Sequence, residues 1–145
     1  MATGRVDPYA AFAFRVEIDG LIRGAFTDVG GIDTTIEVTE FPEGGLRTPK
    51  KLPGKVKYSN ITLKYGLTDD RFFYDWMLEA AKGNIARLSG SIVIMDLQGL
   101  AKVRWNFFEA WPVSWKGAAL SAKGNEYAIE EVDLAHEGIE RVAPS

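Results

Sequence analysis

The stretch AFAFRVEID, residues 11–19, alternates apolar and polar side chains with a period of two. Successive side chains of a β-strand point to opposite faces, so this alternation predicts a strand with one buried and one exposed face. A strand of that kind belongs in a sheet that packs on a core. The side chains expected on the buried face are Phe12, Phe14, Val16 and Ile18.

Other segments have strand character because they alternate in the same way or are rich in β-branched and aromatic residues. Gln98 and Gly99 separate two of these segments as the turn of a hairpin does. Pro112 lies in a further short segment between two tryptophans. The predicted strands are residues 21–26, 34–41, 56–65, 91–97, 100–108, 111–115 and, as the last strand, 125–136.

A single helix is predicted between residues 69 and 82. Thr68 is expected to be its N-cap, and Asp69 and Asp70 stand in the first turn, where the helix dipole favours negative charge. Gly83 occupies the position after the helix where a left-handed glycine ends many helices. The apolar residues that share one helical stripe are Phe72, Phe73, Trp76, Met77 and Ala80.

These elements predict a mainly β protein, an antiparallel sandwich or barrel with one flanking α-helix. At 145 residues with 46% hydrophobic composition, the chain is long enough to bury a substantial core, and we expect one domain spanning residues 1–145.

The segment FPEGGLRTPKKLPGK, residues 41–55, interrupts the strands without helical or strand periodicity. Long loops inside compact domains are usually functional or disordered. A mobile surface loop is one interpretation. The prolines and the apolar residues Phe41, Leu46 and Leu52 favour the other, a segment of about residues 41–56 that becomes ordered on a partner.

Charge is unevenly distributed along the chain. Residues 47–64 contain six basic residues and no acidic one, whereas residues 126–140 contain six acidic residues and neither Lys nor Arg. Such asymmetry is typical of interaction surfaces. The two regions would support head-to-tail self-association, or they would meet within one chain.

Chemistry-bearing residues are sparse. The chain has no cysteine and one histidine, His136, for which a structural hydrogen bond is expected rather than catalysis. Gly54 and Lys55 do not complete a phosphate-binding loop, since Pro49 and Val56 stand where that motif needs Gly and Ser or Thr. We therefore predict no enzyme activity, no cofactor and no metal site. No segment approaches the roughly 20 apolar residues of a membrane helix.

Four stretches together carry a family resemblance. They are FPEGGLRTPKKLPG at 41–54, ITLKYGLTDDRFFYDWM at 61–77, VRWNFFEAWPVSWKG at 103–117 and GNEYAIEEVDLAHEGIERV at 124–142. In these stretches the sequence resembles the tail-tube proteins of contractile injection systems, in the T-even phage tail-tube family. The resemblance implies hexameric rings that stack into a hollow tube, which a contracting sheath drives through a target envelope with cargo or DNA in the lumen.

The resemblance also implies partners and surfaces. The partners would be further copies of the chain, the sheath protein, baseplate and tube-initiator proteins, and a tube-terminating cap protein. Assembly would take place in the bacterial or phage-infected cytoplasm, in a phage tail or tail-like particle. The segment of residues 41–55, which we call the basic arm, would contact the neighbouring ring. The residues expected at this contact are Phe41, Pro42, Glu43, Gly44, Gly45, Leu46, Arg47, Lys50, Lys51, Leu52 and Pro53.

Two further surfaces are expected within such a tube. The helix would present its acidic residues Asp69, Asp70, Asp75 and Glu79 to the sheath. A polar strand face would line the lumen, but a one-residue change of register would turn it away. The candidates for that face are Thr35, Glu37, Thr39, Lys57 and Ser59.

Two alternatives remain at this point. One is a ring-forming secreted tube protein of a type VI secretion system. The other is a small β-barrel that binds a ligand or nucleic acid through its basic arm, against which the net charge of −3 argues.

Overall fold

The computed structural model describes residues 13–42, 44–45, 47–66, 70–118 and 128–144. Within these ranges the chain is mainly β with one helix, as predicted. The elements are β1 (Ala13–Ile18), β2 (Leu21–Phe26), β3 (Asp28–Gly30), β4 (Thr34–Phe41), β5 (Lys50–Tyr58), β6 (Ile61–Gly66), α1 (Phe72–Ala81), β7 (Leu88–Met95), β8 (Ala101–Lys116), β9 (Ile129–Ala135) and β10 (Gly138–Val142).

Two antiparallel sheets share strand β8. The first half of β8 pairs with β7 and β10, and β7 continues through β1 to β2. The second half pairs with β9, which continues through β6 to β3. The 16-residue strand bends at Glu109, whose φ of 52° is in the left-handed region. This bend lets one strand belong to both layers of the predicted sandwich.

The sheets also meet at their far edges. Only Thr27 separates β2 from β3, and its backbone N–H donates to the Lys64 carbonyl over 2.9 Å. The chain thus turns directly from the last strand of one sheet into the last strand of the other. Because a continuous chain bridges these two edges, the body has the closed character expected of a sandwich or barrel.

The core fills the space between the two sheets. Val16 and Ile18, on the face predicted for the first strand, are fully buried, and Phe14 packs against them, whereas Phe12 lies outside the described residues. The helix adds Phe73 and Trp76, which confirms its apolar stripe. The other core residues are Phe26, Ile61, Leu63, Tyr65, Ile92, Phe107, Ala110, Val132 and Leu134.

The helix begins later than predicted. Its N-cap is Arg71, whose side chain makes no capping hydrogen bond, and the Asp70 carboxylate accepts a hydrogen bond from the Phe72 N–H instead (3.0 Å). The proposed cap Thr68 and its neighbour Asp69 lie outside the described residues. Gly83 has φ +95°, which confirms the left-handed end of the helix.

Three predicted strand boundaries are wrong. Residues 111–115 are not a separate strand but the second half of β8, where a register shift between Pro112 and Ser114 accommodates the proline. Residues 56–65 are split between β5 and β6. The chain does not end in the predicted last strand, because β10 follows β9.

Candidate assembly surfaces

The basic arm is a β-hairpin rather than an irregular loop. Residues 50–55 belong to β5 and pair with β4 as far as Phe41 opposite Lys50, so the connection is confined to residues 42–49. Pro53 and Gly54 obscure this strand in the sequence. A register shift accommodates them, and a Cβ on Gly54 would come within 3.1 Å of the Glu37 carbonyl.

The hairpin has no partner strand in the described chain. β4 and β5 pair with each other in a sheet of their own, apart from the two sheets of the body. Nearly all of their side chains are exposed, on both faces. An isolated two-stranded hairpin is marginal in water, so an element of this kind calls for contacts from another molecule.

The two faces of the hairpin differ in chemistry. Ile36 pairs with Val56, and Val38 pairs with Pro53, so these four apolar side chains share what we call the apolar face. Ile36, Val38 and Val56 are 54%, 62% and 50% exposed. Monomeric proteins seldom leave such a set in water unless it is a contact surface.

The opposite face carries the residues proposed to line a lumen. Thr35 pairs with Lys57, and Glu37 and Thr39 follow at alternate positions, so the structure brings these four together on one polar face. Lys57 and Glu37 form an ion pair there. Ser59 lies beyond the end of β5. The lumen candidates on β4 and the lumen candidate on β5 therefore share one face of the hairpin. Sequence periodicity alone could not show this, because it does not say which residues pair across the two strands.

The residues proposed to contact a neighbouring ring occupy the distal half of the hairpin. Phe41 and Leu52, both about half exposed, stand on the side of Thr39, while Lys51 stands on the side of Val38. Glu43 and Leu46 lie outside the described residues. The remaining proposed contacts are Pro42, Gly44, Gly45, Arg47, Lys50 and Pro53.

The base of the hairpin is attached firmly to the body. His136 contacts the Ser59 carbonyl through Nε2 (2.8 Å), and its ring lies 5.6 Å from that of Tyr58. Gly31, with φ +81°, passes so close to the Asn60 carbonyl that any Cβ would overlap it. The histidine thus makes the structural hydrogen bond that was predicted for it.

The acidic surface of α1 is partly neutralised by its own helix. Asp75 lies 3.4 Å from Arg71, and Glu79 lies 3.7 Å from Lys82, so each carboxylate has a basic neighbour. Asp70 is also exposed. Beside this face, Phe72, Trp76, Ala86 and Leu88 form the apolar floor of an open groove of about 310 Å³, with Asp75 and Glu79 also among its lining residues.

Three residues of the acidic segment near the C-terminus have partners within the chain. Glu131 lies 3.9 Å from Lys64 and 3.2 Å from Lys116, Asp133 accepts hydrogen bonds from two hydroxyl groups, and Glu137 lies 3.8 Å from Arg87. The Lys64–Glu131 contact bears out the alternative that the basic and acidic regions meet within one chain. Glu126 lies outside the described residues.

Across the described residues, no group of three or more His, Cys, Asp or Glu side chains could hold a metal ion. Burial raises the pKa of Tyr65, which also accepts a hydrogen bond from the Trp115 indole N–H (3.1 Å). The one helix described is too short and too polar to cross a membrane.

The family comparison places the chain among tail-tube proteins, a class of structural subunits. The matching family is the T4-like virus tail tube protein gp19 family, the match spans residues 10–140, and the chain belongs to that family. No curated protein sequence matches the chain.

Solved structures share the fold. A chain of the extracellular contractile injection system PVC, in the extended sheath–tube complex, is 23% identical over 94% of this chain and 92% of its own, with a TM-score of 0.83. A chain of the anti-feeding prophage tube-terminating cap is 22% identical over 98% and 95%, with a TM-score of 0.84. Hcp1 from Salmonella typhimurium is 15% identical over 91% and 86%, with a TM-score of 0.62.

Proposed function

We propose that six copies of this chain form a ring, and that rings stack head to tail into the hollow inner tube of a contractile injection particle. The observation that carries this proposal is the β4–β5 hairpin, which is attached firmly at its base yet exposed on both faces. In a stack, the distal half of the hairpin reaches the neighbouring ring. One domain spanning residues 1–145 forms the subunit.

The polar face of the hairpin lines the lumen in this proposal. Thr35, Thr39 and the Glu37–Lys57 pair offer hydrogen bonds and balanced charge. Cargo or DNA can slide past this wetted part of the face, while Leu52 and Phe41, farther along the same face, contact the neighbouring ring. The double variant Val38→Asp with Thr39→Val places a charged side chain on the apolar face and an apolar side chain on the polar face. It is expected to prevent assembly.

The outer partner is a contractile sheath, which contacts α1. Similar solved chains come from a sheath–tube complex, a tube-terminating cap and a baseplate. We propose the same partner classes here, with assembly in the bacterial or phage-infected cytoplasm and sheath contraction driving the tube through the target envelope. Asp75 and Glu79 would contribute weakly, since exposed ion pairs are worth about 0–1 kcal/mol each.

The contact with the sheath has its own test. Changing Asp69, Asp70, Asp75 and Glu79 to lysine is expected to reduce sheath assembly on the tube, and tube formation itself should remain. Glu140→Lys, an exposed carboxylate on β10 rather than on the helix, is the control for a change of charge. Normal sheathed particles with all four lysines would contradict a role of the helix in sheath binding.

Electron microscopy of the purified, concentrated protein tests the tube itself. Six-fold rings and stacked hollow tubes are expected. A chain that stays monomeric at every concentration, and also when mixed with preformed tube ends, would contradict the proposal. A secreted ring of a type VI system is the second candidate, because Hcp chains share the fold; separate rings that never stack, released into the medium, would favour it.

A further inference from the structure

The turn between β7 and β8 presents two leucines to solvent. Leu97 is 79% exposed, more than any other large apolar residue described, and Leu100 is 56% exposed. A leucine with so little contact contributes nothing to the core of its own subunit. Two of them, three residues apart on one turn, form an apolar knob.

The turn that carries the knob is held rigidly. The Asp96 carboxylate accepts hydrogen bonds from the backbone N–H groups of Gln98 and Leu100, each 2.9 Å long. These two bonds keep the pKa of Asp96 below its usual value, and Lys102 lies 3.6 Å away. Gly99, at φ +81°, supplies the left-handed residue of the turn. The leucines are therefore presented in a fixed geometry, as a preformed contact surface requires.

The knob and the base of the hairpin lie at opposite ends of strand β7. Strand β7 ends at Met95, immediately before the knob. The other end of β7 lies near the hairpin base. Arg87, just before β7, contacts Glu137 over 3.8 Å, and His136, next to Glu137 in the sequence, contacts the hairpin base. The length of β7 thus separates the two features. Surfaces at opposite ends of one subunit are what a head-to-tail contact uses.

We propose that the apolar face of the hairpin packs on the Leu97–Leu100 knob of a second copy in the adjacent ring. The inference rests on the proposed function and extends it by naming the buried face and the surface that receives it. Apolar side chains meet apolar side chains, and the basic Arg47 and Lys51 near the hairpin tip approach the end of the body that carries the knob. The exposed Asp28 lies at that end, because the end of β2 that precedes it lies beside the end of β7 across β1. The part of the opposite face that carries Thr35 and the Glu37–Lys57 pair stays in water.

Cysteine cross-linking tests the contact directly, because the natural chain has no cysteine. Val38→Cys with Leu97→Cys is assembled and treated with a short bismaleimide. The matched control is Thr39→Cys with Leu97→Cys, which moves the thiol by one residue to the polar face. We expect a ladder of linked subunits from the Val38 variant, at a yield several-fold above that of the control.

Other outcomes separate the inference from the proposed function. Tubes that form normally while the Val38 variant gives no more linkage than the Thr39 control would overturn the contact and leave the tube intact. Protein that forms no tubes in any variant, nor in the natural chain, would overturn the proposed function and the contact with it.

A second set of variants needs no cross-linker. Leu97→Ser with Leu100→Ser is expected to leave folded rings that do not stack, seen as a loss of tubes in micrographs with an unchanged melting temperature. Leu21→Ser, at an exposed leucine at the start of β2, is the control and should still form tubes. Tubes of normal length from the double variant would contradict the proposal.

Discussion

The strands of the sandwich body bury one face in a common core, whereas the strands of the β4–β5 hairpin bury neither face. In the body, both sheets cover a common core, and Thr27 and the bend in β8 carry the chain from one sheet to the other. In the hairpin, two strands of similar length leave both faces exposed. Local sequence is β-forming in both regions, so strand propensity does not explain the difference.

Because of this difference, we expect stability to depend on the body and assembly to depend on the hairpin. Removing apolar surface from water stabilises a fold in proportion to the area buried. The body buries its apolar residues within one subunit, and changes there are expected to affect folding. In the tube that we propose, the hairpin buries its apolar face against a second copy, and changes there are expected to affect stacking. The predictions below test this contrast in order of their effect on the stability of the isolated subunit.

The largest effect is expected for Phe107→Ala. Phe107 is fully buried, and truncating a buried phenylalanine costs about 3–5 kcal/mol of unfolding free energy. Its neighbour Phe108 points to the other face of β8 and is 39% exposed, so Phe108→Ala is the matched control with a smaller loss. Urea denaturation measures both. Equal losses would contradict the burial assigned to this strand.

A smaller loss is expected for Asp133→Ala. Its carboxylate accepts hydrogen bonds from Thr62 Oγ1 (2.7 Å) and Ser114 Oγ (2.9 Å), which join three neighbouring strands. Losing this acceptor is expected to cost about 1–3 kcal/mol in the same denaturation experiment. Glu131→Ala removes only partly exposed ion pairs and should cost at most about 1 kcal/mol. A reversed ranking would contradict the account.

The third prediction concerns alkaline pH. Burial raises the pKa of Tyr65 above its ordinary value of 10.0. The folded state therefore holds this proton more tightly than the unfolded state, so its contribution to stability is complete below pH 10 and is lost as pH rises above it. Tyr65→Phe has no phenolic proton at this position, so this loss of stability above pH 10 is expected to be absent from the variant.

The measurement compares urea midpoints below and above pH 10. The natural chain is expected to lose more stability across that interval than Tyr65→Phe does. Tyr74→Phe, at a more exposed tyrosine of α1, should behave as the natural chain does. An identical alkaline decline in the natural chain and in Tyr65→Phe would show that Tyr65 does not contribute.

The smallest effect on the subunit and the largest on assembly are expected for Ile36→Thr with Val38→Thr. Both side chains are exposed, so the unfolding free energy should change by no more than about 0.5 kcal/mol. Stacking should be lost, because the apolar face disappears. Sedimentation velocity and electron microscopy measure this. A destabilised subunit that still forms tubes would show that these two residues stabilise the fold and are not needed for stacking.

Much of the body follows from its sequence pattern. The alternation around Val16 and Ile18, the Gln98–Gly99 hairpin and the stripe of α1 each carry a local periodicity that the fold preserves. The bend at Glu109 could not be predicted, because a left-handed glutamate has no local signature. The sequence does not predict β10, because a five-residue strand with one glutamate and one arginine has little apolar periodicity.

The assembly surfaces were only partly predictable. Composition singled out the arm, but Pro53 and Gly54 obscured the strand that makes it a hairpin. Sequence alternation also suggested lumen residues without joining Thr35 to Lys57, because pairing between strands is not a local property. In the sequence, the Leu97–Leu100 knob has the pattern of an ordinary turn. It differs from one only in the structure, where both leucines are exposed at the end of β7 away from the hairpin base.

Hydrogen–deuterium exchange of the natural chain tests the contrast between body and hairpin most directly. The amides of β4 and β5 are compared in the free subunit and in assembled tubes, with those of β7 and the first half of β8 as the internal reference. We predict rapid exchange of the hairpin in the free subunit, strong protection of it in tubes, and slow exchange of the reference strands in both. A hairpin that is as protected as β7 in the free subunit, or that stays unprotected in tubes, would contradict the account.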